Sequence, residues 1–553
     1  MLSSRFPRPG PTWWLLAAAA AATLLVATAS DAARQAVLQS ALLAAAVAGM
    51  AVPVGTLLAV LIVRTELPGR QAAAWLIVLL LLTPLHVHLA GWDAALGKLG
   101  WLTLAFGQLD RPCLAGMPGA IAVHAAAAIA WVTVIVAAGL VHLPVWPEEA
   151  AWTCVPPRVV LWRITLPQVR PLVLVATLYA VLSTTSDMTV TNVYLIRPAE
   201  QTATERFYMA FALEGEPWPA LRSALPALAV AFGAAAALLW ASVPNVLRRS
   251  SLPGRVLRFP LGKWRWPLAG LVWLILGGLA ILPLTSLVIK AGHVVELRDG
   301  KRQRHWSAAA CLARVASAPR EFAREGRDTL LVASGAAALA LVGASVLGWG
   351  WRTSGWPRRL TSALLLIALV TPGPLVGVVL ILLFNHDLPP HLPWQDGKSW
   401  LLWLYDDTPL APMLAQAIRA LPLAGLLLGY SFSTLRDDLL AAAALDRVPF
   451  WTVCWRIVLP LRWRALAAAG LVAWAVAAGD LAWSHLVTPP GVDLLQRRVF
   501  GLLHAGVEEQ VAAITLVQLG LYAVLTLTIA RLITAAEQQP LTIPRQPAFQ
   551  GRP

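Results

Sequence analysis

Residues 148–171 read EEAAWTCVPPRVVLWRITLPQVRP, and residues 441–464 read AAAALDRVPFWTVCWRIVLPLRWR. Both carry W-R-I-x-L-P: Trp162, Arg163, Ile164, Leu166 and Pro167 recur as Trp455, Arg456, Ile457, Leu459 and Pro460, at a constant shift of 293 positions. The same shift carries Asp187 onto Asp480 and Phe207 onto Phe500, so the registration outruns the loop and marks a duplicated unit. The apolar stretch that begins near Ala36 likewise maps close to the one near Thr329. Two parallel halves follow, residues 36–247 and 329–536, and parallel repeats put both copies of the motif on the same membrane face.

Outward from these segments the composition fixes the class. Of 553 residues 58% are hydrophobic and 13% charged, whereas a soluble domain carries about 25% charged residues. Apolar stretches bounded by Pro, Gly, Trp and charge clusters start near Trp13, Ala36, Ala72, Pro118, Val169, Ala220, Trp266, Thr329, Leu360, Pro409, Arg464 and Glu509. Each is long enough to cross the hydrocarbon layer, which takes about 20 residues of helix. An all-α polytopic membrane protein of about twelve spans is expected, and an ordinary soluble enzyme is excluded.

The 43 Lys and Arg against 28 Asp and Glu leave a net charge of +15. In a membrane protein such an excess encodes topology rather than nucleic-acid binding. Arg5 and Arg8, Arg64 and Arg70, Arg158 and Arg163, Arg248 and Arg249, Arg358 and Arg359, and Arg456 and Arg462 fall on one side, with both termini. That side is expected to be cytoplasmic. Between Ala291 and Asp328, on the other side, eight basic residues interleave with Glu296, Asp299, Glu321, Glu325 and Asp328. A solvated loop with surface helices is expected there, the alternative being a basic patch for an anion. Residues 1–35 are read as a retained helix, although Arg5, Arg8 and the A-x-A at Ala27 to Ala29 also fit a cleaved signal. Residues 248–328 form a linker, a span and the outer loop, and residues 537–553 a cytoplasmic tail. Cys113, Cys154, Cys311 and Cys454 have no CxxC spacing, so neither a zinc nor a redox motif is present.

Each repeated loop has a short helical segment, an amphipathic stretch and a Leu-Pro, and Pro167 and Pro460 are expected to mark a turn into the next span. Arg158 and Arg163, or Asp446 and Arg456, give a polar face; Trp162, Ile164, Trp455 and Ile457 give apolar anchors. Such a helix lies on lipid or fills a partner's groove. Two copies after equivalent helices favour a pair of docking sites.

At these residues the chain resembles the membrane subunit of binding-protein-dependent ABC importers, whose EAA loop reads approximately E-A-A-x-x-x-G, nine residues, then I-x-L-P. In the first copy Glu148 takes the acidic position, Ala150 and Ala151 the small ones, and Ile164, Leu166 and Pro167 the end. The second keeps Ala442, Ala443, Ile457, Leu459 and Pro460. Cys154 and Arg447 stand where glycine is expected, and Ala441 replaces the acid, with Asp437 and Asp438 nearby but out of register. Residues 203–221 and 488–514 look like outer regions of fused two-domain permeases of the iron(III), thiamine and phosphonate type. The resemblance implies two type-1 permease domains in one chain and a bacterial inner-membrane location. It also implies two copies of a cytoplasmic ATPase, one on each loop, and a periplasmic binding protein.

A nucleotide-binding G-x-x-x-x-G-K-[ST] is absent: Gly397-Lys398-Ser399 has its ending, but Leu392 holds the first-glycine position. ATP and magnesium are therefore expected on the partner, with no cofactor on this chain. The competing class is an ion-driven secondary transporter, which needs ionisable groups within the spans. The candidates are Asp187 and Asp480 at matching positions, Arg419 inside an apolar stretch, either snorkelling or paired with a carbonyl, and His124, read as a packing histidine. His86 and His88 do not share a helix face, so no metal site is expected, and Glu508 with Glu509 reads as a solvated helix start. No H-E-x-x-H or G-x-S-x-G offers a catalytic centre.

Overall fold

The computed structural model describes residues 30–107, 112–195, 197–215, 218–219, 221–222, 224–233, 256–298, 301–353, 355–385 and 400–537. Its first part comprises α1 (Asp31–Arg64), α2 (Arg70–Leu82), α3 (Leu85–Leu96), α4 (Gly116–Val141), α5 (Trp146–Trp152), α6 (Pro157–Ser186) and α7 (Ala203–Glu214). A connecting part holds α8 (Gly262–Ala291), the strands β1 (His293–Arg298) and β2 (Lys301–Trp306), and α9 (Ala308–Glu321). The last part comprises α10 (Ala323–Arg352), α11 (Trp356–Val370), α12 (Gly373–Phe384), α13 (Leu410–Ser433), α14 (Asp437–Leu445), α15 (Phe450–Gly479), α16 (Leu495–His504) and α17 (Glu508–Glu537).

This is an all-α multi-pass membrane protein. Among the described residues eight helices are long and apolar enough to span, and two bent pairs, α2 with α3 and α11 with α12, raise the number to ten. These ten coincide with ten of the twelve expected stretches. The one near Trp13 lies outside the described residues, and of the one near Ala220 only part is described, including the short apolar helix Ala224–Gly233.

The stretches near Ala72 and Leu360 are not straight spans, because each bends by more than a right angle, 102° and 104°. The cause is a shared Thr-Pro. Pro84 and Pro372 have no N–H to continue the ladder, and Thr83 and Thr371 take extended backbone, with ψ of 125° and 126°. Each threonine hydroxyl donates 2.7 Å to the carbonyl four residues back, Leu79 or Ile367, which closes the helix end.

The bent pairs cross between the halves. Leu82 of α2 packs with Ala475 of α15 and Tyr522 of α17, while Val370 of α11 packs with Leu178 and Leu182 of α6, and Val378 of α12 with Phe207 of α7. Within each half the long helices meet through small residues, as lipid-embedded helices must when no hydrophobic gain separates protein from lipid. A Cβ on Gly55 of α1 would lie 2.7 Å from Val132 Cβ of α4; one on the equivalent Gly343 of α10 would lie 3.0 Å from Leu421 of α13. Ser40 of α1 accepts from Ala203 N at the start of α7, 2.9 Å, as Thr329 of α10 accepts from Leu495 N at the start of α16, 2.8 Å.

Two expectations fail here. The basic stretch after Ala291 contains an antiparallel hairpin, His293 opposite Trp306, before its surface helix α9, and Arg324, Arg327 and Asp328 already belong to α10. Asp299-Gly300 between β1 and β2 is a hairpin signal that the charge pattern obscured. Glu508 is no solvated helix start: it pairs with Lys290 of α8, whose side chain is buried and also donates to the Leu99 carbonyl.

Candidate functional site: paired loops and a central cavity

The first loop is built around a buried ion pair. Glu148 on α5 is fully buried; its Oε2 accepts from an Arg64 guanidinium nitrogen at 2.8 Å, and its Oε1 from Thr165 Oγ1 at 2.7 Å. Arg64 ends α1 and donates also to the Leu140 carbonyl of α4, 2.8 Å, and the Leu257 carbonyl, 3.4 Å. One carboxylate thereby ties together α1, α5 and the start of α6. The connecting segment adds a cover: Phe259 N donates to the Arg64 carbonyl, 2.8 Å, and the Phe259 ring stacks on Trp152, centroids 5.3 Å apart at 11°. Ala150, Arg158, Trp162 and Arg163 are exposed, Ala151, Ile164, Leu166 and Pro167 half-buried.

The second loop repeats the backbone. Leu161–Thr165 and Cys454–Val458 are both π turns, each set immediately before the Leu-Pro and followed by 21 helical residues. Proline cannot donate at Pro167 or Pro460 and its ring crowds the preceding turn, so the ladder widens there to five-residue hydrogen bonds and runs on. The expected turn at these prolines is therefore a bulge inside one helix, 30 residues long in both halves. Its side chains differ. Arg352, ending α10 as Arg64 ends α1, donates to the Phe432 carbonyl, 2.7 Å, and the Leu435 carbonyl, 3.0 Å, and its acidic partner is Asp437, 94% exposed. Ala443 is buried and Ile457 half-buried, whereas Ala442, Asp446, Arg456, Leu459 and Pro460 face outward with Leu445, Phe450, Trp451 and Trp455.

Some 30 Å further along α6 and α15, at 1.5 Å per residue, Asp187 and Asp480 follow the last helical residues. They perform one local task in duplicate: Asp187 Oδ2 accepts from Val190 N, 3.0 Å, and Asp480 Oδ1 from Trp483 N, 3.3 Å, capping the turn that follows. Arg419 of α13 pairs with Asp480, 2.9 Å, which corrects the expectation of snorkelling or a carbonyl partner. His124 of α4, read as a packing histidine, is buried and sits 3.6 Å from Asp187. A single cavity is lined by His124, Trp131, Tyr179, Asp187, Arg419 and Asp480, together with the Thr83-Pro84 break. The structure thus gathers the three pathway candidates and keeps both loops at the far end of the same helices.

His86 and His88 also border the cavity but spend their nitrogens on Gly479 O and Gln518, and on Leu80 O. Beyond the spans, burial pushes the Glu205 carboxyl of α7 up to about 7, and Asn192 and Thr191 donate to it. Sequence reasoning missed Thr165 and Phe259 and treated Arg64 only as a marker of topology. A signal for Arg64 existed, since it aligns with Arg352 once the shift is allowed to be 288 before α4, as the helix ends require.

Residues 339–538 match the family described as binding-protein-dependent transport system inner membrane component. That segment is a permease domain of binding-protein-dependent transport, reaching from within α10 to the end of α17. No curated protein matches the chain.

Proposed function

We propose that the chain is the fused permease of an ATP-driven ABC importer in a bacterial inner membrane, with both termini cytoplasmic. Residues 36–247 and 329–536 act as two permease domains, and the cavity between them is the translocation path. Two copies of a cytoplasmic ATPase dock on the segments Glu148 to Pro167 and Ala441 to Pro460, and a periplasmic binding protein delivers substrate at the other end. ATP and magnesium sit on the ATPase. The observation that carries this reading is the duplicated loop with identical π turns and exposed Trp162 and Trp455, beside the family match of residues 339–538. Rigid helices leading from the loops to Asp187 and Asp480 give closure of the ATPases a mechanical route to the cavity.

The Arg419–Asp480 and His124–Asp187 pairs favour a second reading, a transporter driven by an ion gradient. Affinity purification of the tagged chain from its host, with mass spectrometry, separates the two. About two ATPase subunits per chain and uptake that survives collapse of the proton gradient are expected; a chain recovered alone that still transports overturns the importer reading. Arg163→Glu and Arg456→Glu, both at exposed positions, should leave the protein inserted and lower ATPase recovery and uptake together.

A further inference from the structure

We propose that the central cavity is a binding site for an organic cation that carries an N–H donor group on an apolar or aromatic body; this rests on reading the cavity as the translocation path. The argument begins with charge. Asp187, Asp480 and Arg419 carry formal charges that sum to minus one. Arg419 is committed to Asp480 through its Nε, 2.9 Å, and lies over the Trp483 ring, 5.9 Å from its centre. Asp187 receives one backbone N–H, from Val190, and its Oδ2 lies 3.6 Å from His124 Nε2.

The His124 side chain is 4% exposed, and among the described residues its Nε2 has no hydrogen-bond partner. A buried nitrogen left unsatisfied is costly, so this atom marks a place where a ligand or solvent atom belongs. An ammonium or amidinium group between Asp187 Oδ2 and His124 Nε2 satisfies both and cancels the surplus charge. Beside it Trp131 and Tyr179 pack ring on ring, centroids 4.6 Å apart, and offer aromatic surface to the body of a cation. A metal ion fits less well: among the described residues no group of three His, Cys, Asp or Glu is placed to hold one. An anion would meet two carboxylates, Asp187 and Asp480, against the one guanidinium of Arg419, whose Nε is held by Asp480.

The test uses the purified full-length chain in detergent, with binding of phenethylammonium, benzyltrimethylammonium and phenylacetate at pH 7 followed by tryptophan fluorescence and thermal shift. Phenethylammonium should bind saturably, benzyltrimethylammonium about fivefold more weakly for want of an N–H, and phenylacetate not at all. Asp187→Asn should weaken phenethylammonium at least about tenfold, and His124→Ala about fivefold, each in protein that elutes as the wild type does. Phenylacetate binding as tightly as phenethylammonium in the wild type overturns the proposal without any variant, as does no binding of phenethylammonium or unchanged affinity in a folded Asp187→Asn. If any of these results comes from a preparation that still recovers its ATPase, the cation site falls and the permease reading stands. If the chain transports with no ATPase, the permease reading falls whatever the cavity binds.

Discussion

The two repeated loops share a backbone and differ in what holds it. In the first, Arg64 and Glu148 form an ion pair whose side chains are 1% and 0% exposed, with Thr165 completing the carboxylate and Phe259 covering Trp152. In the second, the loop residues that make those contacts are replaced at the matched positions. Ala441 stands for Glu148, Val458 for Thr165, and Leu445, 84% exposed, for Trp152. Arg352 keeps its carbonyl contacts and takes an exposed acid instead. The π turns nevertheless coincide, so the loop shape comes from the proline and the packing of the long helices, not from the buried pair. What the pair adds is a large penalty for losing one member, since a buried ion pair is weak evidence for stability but expensive to break.

The largest effect should follow from Glu148→Ala, which leaves the Arg64 guanidinium buried without its acid. A loss of about 3–5 kcal/mol is expected, seen as a markedly lower melting temperature in detergent. Asp437→Ala, at the exposed partner of Arg352, should leave melting almost unchanged. Replacing both Arg64 and Glu148 by Leu should recover part of the loss, because an apolar pair has no charge to strand, while the Thr165 hydroxyl and the Leu140 carbonyl lose their partners. Equal melting of Glu148→Ala and Asp437→Ala would erase the distinction between the loops. Next comes Phe259→Ala: Phe259 is 3% exposed, and removing its ring should cost about 3 kcal/mol. It should also expose Trp152, read as increased quenching of tryptophan emission by iodide. A first loop unmoved by that change would mean that the connecting segment only passes by.

Much of this was legible from residues alone. The shift of 293 placed the loops, the helices behind them and the aspartates after those helices, because α6 and α15 carry neither insertion nor deletion between Pro157 and Asp187. The bends at Pro84 and Pro372 were not legible, since apolar runs on both sides of a Thr-Pro read as one span by composition. Arg64 was hidden for a different reason: its partner lies 84 positions away and its counterpart obeys another shift. Arg419 was seen as anomalous, but whether a buried arginine meets a carbonyl or a carboxylate is decided by tertiary contact that no local pattern encodes.

The smallest effect tests the comparison at the position where the family pattern has glycine. Arg447 has φ of +52°, the only non-glycine with positive φ among the described residues. Its backbone shows why. Arg447 N donates to Ala444 O, 3.1 Å, and Val448 N to Ala443 O, 2.9 Å, which is the pattern of a helix ended by a left-handed residue. Cys154, the matched residue, follows α5 without that reversal, as Cys154 N and Val155 N both donate to Ala151 O at 2.9 Å. Arg447→Gly relieves a left-handed strain of about 1–2 kcal/mol and gives back part of it in chain entropy, for a net gain of about 0.5–1 kcal/mol. Cys154→Gly has no strain to relieve and should cost about 0.5–1 kcal/mol. Opposite signs in thermal melting would establish that the second loop keeps the glycine geometry without the glycine, while the first reaches the same π turn by another path; equal signs would mean that the two loops end their short helices alike.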